Sequence, residues 1–188
     1  SGVHIEFINS VLGHVRHQFL AVHRAAIYAD LTENFAKCIR VEELIRQVSV
    51  KYPGLLSSGE QVKEDAGRAL KEKVGYERPI GIFLSHLFAD PDAGNHLIQT
   101  MLRPLPGSLD LLEKFRKDGS LNLGTALVKR NGASVEVAMY NPQYLNAEDS
   151  GTLGPMEQAV DVALLDSESQ VCVLRGTKSA HPRYKDRG

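Results

Sequence analysis

Ala126-Leu127-Val128-Lys129-Arg130-Asn131-Gly132-Ala133-Ser134-Val135-Glu136-Val137-Ala138-Met139 is the stretch that decides the fold class. Two apolar runs, Ala126 to Val128 and Val135 to Met139, flank Asn131-Gly132, a pair favoured in tight hairpin turns because both residues tolerate positive φ. Alternation places Val135, Val137 and Met139 on one face of the second strand. Beyond a loop containing Pro142, a helix is expected from about Thr152 to Leu165, with Leu153, Met156, Val160 and Ala163 on one side. Val171-Cys172-Val173-Leu174 is a short continuous apolar run, as a parallel strand covered on both faces would need. Strand, loop, helix and strand in that order make one βαβ unit, whose crossover should be right-handed. One hairpin and one crossover cannot close a core of their own. Residues 120–188 therefore read as the opening of a larger α/β domain.

Upstream the periodicity changes, and residues 1–119 read as all-helical. Val15, Phe19, Val22, Ala26 and Ala29 recur at helical steps and predict one apolar face. Val41, Leu44, Ile45 and Val48 repeat the pattern until Tyr52-Pro53-Gly54, where proline and glycine both break a helix. Ser58 and Gln61 have the spacing of a capping box. Asp90-Pro91 supplies a cap and a first-turn proline for a helix that should run to Arg103, ahead of Pro104. Pro106-Gly107-Ser108 opens a last helix through Phe115, closed near Gly119. No sequence period recurs, so a solenoid is not expected.

The 188 residues are 43% hydrophobic and 24% charged, which supports a buried core and excludes wholesale disorder. Lys plus Arg number 22 against 23 Asp plus Glu, a net charge of −1 that offers no basic excess for a nucleic-acid interface. No apolar run approaches the roughly 20 residues that span a bilayer. Cys38 and Cys172, far apart in sequence, suggest neither a disulfide framework nor a zinc site. The Ser1-Gly2 start lacks the charged and apolar regions of a signal peptide and reads as a truncated or tag-scarred terminus. The expectation is a soluble cytoplasmic protein with neither nucleic-acid nor membrane partners.

Candidate chemistry is sparse. His4, His14, His17 and His23 lack the carboxylate spacing of a metalloprotease, and no metal site is expected from them. The glycines after Gly119 are too widely spaced for a phosphate loop, and no serine has the context of a nucleophile elbow. Two segments stand out. Asn141 to Asp149 leads from a strand end into a helix, where α/β sheets commonly bind ligands. Its blander reading is a helix cap by Asp149 or Ser150, with Glu148 solvated. Leu174-Arg175-Gly176 and the stretch His181-Pro182-Arg183-Tyr184-Lys185-Asp186-Arg187 carry Arg175, Lys178, Arg183, Lys185 and Arg187. Such a cluster suits a nucleotide phosphate, and it suits a solvated basic tail equally well.

Leu145-Asn146-Ala147-Glu148-Asp149, the helix with Pro155-Met156-Glu157 and Ala159-Val160-Asp161, and Val173-Leu174-Arg175-Gly176 together resemble the crotonase (enoyl-CoA hydratase/isomerase) superfamily. More narrowly, Asn146 to Asp149 taken with His181-Pro182-Arg183-Tyr184 resembles the cofactor-independent (3,5-dihydroxyphenyl)acetyl-CoA 1,2-dioxygenases. Those enzymes serve dihydroxyphenylglycine formation in antibiotic pathways. Upstream, Tyr52-Pro53-Gly54-Leu55, Gly81-Ile82-Phe83, His96-Leu97-Ile98 and Met101-Leu102-Arg103-Pro104 fit the long helical region that precedes their crotonase core.

The resemblance implies an α/β fold, a crotonase-like ββα core with only its opening present, after a helical N-terminal region. It implies dioxygen attack on the deprotonated α-carbon of an arylacetyl-CoA, with no metal, flavin or haem as cofactor. Backbone N–H donors would stabilise the enolate as its charge develops. Glu148 would accept a hydrogen bond from a ring hydroxyl of the substrate. His181, Pro182, Arg183 and Tyr184 would line the CoA moiety, and Pro142 would approach it from the other side. No catalytic residue is expected within the chain, because the family's oxyanion loop lies beyond Gly188. The expected partners are the CoA thioester, the C-terminal part of the same protein as a nicked second chain, and further copies in a trimer or hexamer. Rival readings are an enoyl-CoA hydratase or isomerase of the same superfamily, and a non-catalytic helical assembly module.

Overall fold

The computed structural model describes residues 2–179 and 183–184, with side chains from Phe7 onward. The chain divides into two compact units, Ser1–Arg103 and Pro104–Gly188. The division falls ahead of Gly119, because the helix before Gly119 shares its core with the sheet that follows.

The first unit is helical: α1 (Gly2–Leu31), α2 (Val41–Lys51), α3 (Gly59–Ala66), α4 (Arg78–Phe88) and α5 (Pro91–Met101). Most boundaries follow from local chemistry. Ser58 and Gln61 form the expected capping box, each accepting the other's backbone N–H, at 3.2 and 2.9 Å. Asp90 caps α5 by accepting from the Ala93 N–H at 3.1 Å, with Pro91 in the first turn. The helix start at Arg78 carries no side-chain cap, and no boundary is predicted there.

The core of this unit corrects one expectation. The buried residues of α1 are Leu20, Ile27, Tyr28 and Leu31, packed with Leu44 and Val48 of α2, Phe83 and Leu87 of α4 and Leu97 of α5. The predicted face is exposed instead: Val15 is 57% exposed, Phe19 42% and Val22 74%. At about 100° per residue the two stripes lie on opposite sides of the helix. Both are apolar, and period alone cannot say which one meets a partner. Arg24 sits among the inward residues because Asp90 neutralises it, at 3.3 Å.

The second unit holds α6 (Ser108–Asp118), β1 (Ser120–Asn122), β2 (Ala126–Asn131), β3 (Ser134–Met139), α7 (Leu153–Leu165) and β4 (Val171–Gly176). The sheet runs β1-β2-β3-β4, antiparallel except for the parallel β3–β4 pair that the helix crossover requires. Asn131 pairs with Ser134, so the turn residues are Gly132 and Ala133, one place beyond the predicted pair. Only Gly132 has positive φ, 62°, which suits a turn with glycine at its first central position. Val135, Val137 and Met139 are buried as alternation requires. Val135 and Val137 pack with Leu112 and Phe115 of α6 and Ala159, Val162 and Ala163 of α7. Of the predicted α7 face, Ala163 is buried and Met156 and Val160 pack partly buried against the same core, whereas Leu153 is 57% exposed.

Two carboxylates, half-buried Asp161 and buried Asp166, brace this unit. Asp161 of α7 accepts from the Leu105 N–H and the Ser108 hydroxyl, both at 2.7 Å, joining the start of α6 to α7. Asp166, at the end of α7, pairs with Arg130 of β2 at 2.9 Å and accepts from the Ser169 hydroxyl. The Arg130 guanidinium also lies 5.1 Å from the Phe115 ring centroid.

β4 departs most from expectation. It should be covered on both faces, yet Val171, Val173 and Leu174 are 56%, 45% and 62% exposed. Among the described residues its outer edge pairs with no strand. An uncovered apolar parallel strand is a surface that calls for another layer. No helix of the described residues is long and apolar enough to cross a membrane.

Candidate functional site

The loop from β3 to α7 is shaped by backbone chirality. After a 3-10 turn at Pro142–Tyr144, Leu145 and Asn146 both take φ of 56°. Left-handed backbone disfavours residues with a Cβ, but asparagine tolerates it better than most because its short side chain bonds locally. Here it does. Asn146 Oδ1 accepts from the Asn141 N–H at 3.0 Å and from the Thr177 hydroxyl at 3.2 Å. Its Nδ2 donates to the Thr177 carbonyl. Asn141 in turn donates from Nδ2 to the Ala147 carbonyl at 2.9 Å.

These bonds fasten the loop to the segment that follows β4. Thr177 continues the β3–β4 ladder through its N–H to the Met139 carbonyl, at 2.9 Å. Ser179 donates from Oγ to the Pro142 carbonyl at 3.4 Å. The strand-to-helix loop and residues 174–179, separated by a whole helix and strand, therefore meet at the C-terminal ends of the parallel strands. That is where α/β sheets present their ligands.

The acidic pair divides its labour. Asp149 Oδ1 accepts from the Gly151 and Thr152 N–H groups at 2.8 and 3.0 Å, and Thr152 Oγ1 accepts from the Asp149 N–H at 2.9 Å. Asp149 thus braces the turn before α7 rather than capping the helix, whose start at Thr152 carries no side-chain cap. Glu148 is exposed and has no hydrogen bond or ion pair with a described residue. It stands at the rim of a cavity of about 420 Å³. Met139, Met156 and Leu174 make the apolar lining, and Asn146 and Arg175 flank it.

Arg175 is not left for a phosphate. It pairs with Glu136 on the neighbouring strand at 2.7 Å. Lys178 is exposed. Arg183 lies with its guanidinium carbon 5.3 Å from the Tyr184 ring centroid. His181, Pro182, Lys185 and Arg187 lie outside the described residues. Of the predicted site residues, Glu148 thus reaches the cavity directly, and Pro142 is tied by its carbonyl to the segment beyond β4. Among the described residues no group of three or more His, Cys, Asp or Glu side chains could hold a metal ion. His17 makes a 3.0 Å contact from Nδ1 to Nε2 of His86.

Asn146, Thr177 and Ser179 were not foreseen as positioning residues. Asn146 stood in the quoted Leu-Asn-Ala motif, and an asparagine next to a bulky residue in a strand-to-helix loop is the signal for a left-handed kink. For Thr177 and Ser179 the sequence holds no such signal.

The arrangement is a carboxylate acceptor at the mouth of a thioether-lined and aliphatic cavity. It can receive a hydroxylated ring: Met sulfur packs well against aromatics, and an ionised carboxylate binds a hydroxyl more strongly than a neutral acceptor does.

No family model matches the chain. It is 37% identical over 172 residues, 92% of its length, to the (3,5-dihydroxyphenyl)acetyl-CoA 1,2-dioxygenase of Amycolatopsis orientalis. The match is longer than either unit alone and so takes in residues of both. It amounts to 40% of that enzyme, so the chain spans about two fifths of the length of the curated relative it resembles.

Proposed function

We propose that the chain is the N-terminal part of a cofactor-independent dioxygenase that acts on an arylacetyl-CoA, with 3,5-dihydroxyphenylacetyl-CoA as the favoured substrate. The reaction takes ArCH2–CO–SCoA and O2 to ArCO–COOH and HSCoA. Two C–H bonds, the thioester C–S bond and the O–O bond break, and both hydrogens leave as the acid and thiol protons. The α-carbon and dioxygen exchange the electrons, so the balance calls for no external reductant.

The observation that carries this reading is the placement of Glu148. It is an acceptor without a partner among the described residues, beside an apolar cavity and on a loop locked to the end of a parallel strand. The similarity to a curated dioxygenase over both units supports the same reading. In it, Glu148 holds a ring hydroxyl, while Arg183 and Tyr184 with His181 and Pro182 line the CoA moiety. The bare faces of β4 support a crotonase-like core completed by further strands and helices, which bring the oxyanion donors.

The test is an oxygen-electrode assay of the completed protein with arylacetyl-CoA after exhaustive chelation. Undiminished oxygen uptake is expected. Uptake that vanishes on chelation and returns with iron contradicts the proposal.

A further inference from the structure

The helical unit holds a second cavity, of about 260 Å³, which the reaction above does not use. It opens between α1, the segment at the start of α3, and the segment that enters α4. Two arginines line it from different elements, Arg16 on α1 and Arg78 at the start of α4, and no acidic side chain among the described residues does. Arg16 donates from Nε to the Leu55 carbonyl at 3.1 Å, and its two terminal nitrogens have no other partner among the described residues. The Arg78 N–H donates to the Gly75 carbonyl at 3.0 Å, while its guanidinium forms no hydrogen bond or ion pair with a described residue.

The buried carboxylate of Asp65 holds the Val74–Tyr76 segment that lines the cavity. It accepts from the Val74 and Gly75 N–H groups at 2.8 Å each and from that of Tyr76 at 3.3 Å, with Arg68 at 3.5 Å. That network fixes the wall against which Arg78 lies. A Cβ on Gly75 would stand 2.9 Å from Arg78 Nε, and Gly75 has φ of 85°, so glycine is what admits the guanidinium there. The other walls are aliphatic: Leu12, Leu56, Pro79 and Ile82.

We propose that this cavity binds a small arylcarboxylate, its carboxylate between Arg16 and Arg78 and its ring against the aliphatic wall. Two guanidiniums without carboxylate partners among the described residues are suited to bidentate recognition of a planar oxyanion. The volume fits one ring and its acid group, since a cavity of about 150 Å³ is known to take benzene alone. The aliphatic wall favours an organic anion over an inorganic one. The proposal is independent of the dioxygenase reading.

The test uses the 188-residue chain, with phenylacetate followed by amide chemical shifts in two-dimensional NMR. Saturable shifts are expected at Gly13, Gly75 and Tyr76. Phenylacetamide, which keeps the shape and loses the charge, should bind about tenfold more weakly or worse, as a lost charge-assisted bond implies. Arg78→Gln, at an exposed side chain without partners among the described residues, should keep the fold and weaken phenylacetate by a similar factor. Equal binding of acid and amide overturns the proposal, as does an unchanged affinity in Arg78→Gln. Phosphate competing more strongly than phenylacetate, or no saturable shift at these amides, overturns it too.

Discussion

Glu148 and Asn146 sit two residues apart and do different work, and substitution separates them. Glu148→Gln removes a charge from an exposed position, so the melting temperature should hold; surface changes of this kind cost under about 0.5 kcal/mol. Turnover of a ring-hydroxylated arylacetyl-CoA by the completed protein should fall about tenfold or more, because a bond to a charged acceptor is worth about 1.5–3 kcal/mol. Phenylacetyl-CoA should lose much less, and equal losses for the two would mean that Glu148 does not read the ring. Asn146→Ala should show the reverse pattern. It leaves φ of 56° on a residue that disfavours it, at about 1–2 kcal/mol, and removes three side-chain hydrogen bonds. Chemical denaturation should show a destabilisation of about 2 kcal/mol or more in the sheet unit, with Asn146→Gly recovering the backbone part. An Asn146→Ala protein as stable as the parent would contradict the fastening role.

The elements show which parts of the fold were legible and why. Caps and turns are local, so the boundaries of α2, α3 and α5 and the β2–β3 hairpin follow from a few adjacent residues. The inward face of α1 is a tertiary fact. Two apolar stripes compete along the helix, and Leu20, Ile27 and Tyr28 win because α4 and α2 present Phe83 and Leu44 to them. Leu20→Ala should accordingly cost about 2–5 kcal/mol, the usual range for a fully buried leucine. Val22→Ala, on the predicted but exposed stripe, should stay within about 0.5 kcal/mol in the same urea titration. Comparable losses at both positions would argue for a different packing of α1. β1 escaped notice because three residues carry too little pattern. The links from Asp65 to Val74, Gly75 and Tyr76 cross a segment whose sequence predicts no element at all.

At the scale of the whole molecule, each unit owes part of its stability to one buried carboxylate. The Asp65 carboxyl is held below the usual range, chiefly by the N–H of Val74 and also by those of Gly75 and Tyr76. For Asp166, burial acts to raise the pKa, but the Ser169 hydroxyl and the Arg130 guanidinium outweigh it and leave it lowered. A depressed folded pKa stabilises above the unfolded value of about 4 and loses that contribution as the pH falls through the folded one. Urea midpoints should therefore be flat from neutral pH to about pH 5 and decline below it. Asp65→Asn should shallow that decline for the helical unit, and an unchanged slope would mean the carboxylate does not carry it.

The sequence picked out the segments of the candidate site but not how they join. The strand-to-helix loop and the segment beyond β4 could be picked out by the residue types they hold, whereas their joining through Asn146, Thr177 and Ser179 depends on sheet register. The central claim is that the completed protein inserts dioxygen into an arylacetyl-CoA. Its most direct test is turnover under 18O2 in unlabelled water, followed by mass spectrometry of the acid product. Transfer of both atoms of dioxygen to the same α-keto acid molecule is the result the account predicts, since the balanced reaction takes no oxygen from water. Product bearing only water-derived oxygen, or a hydrated acyl-CoA formed equally well without dioxygen, would contradict it.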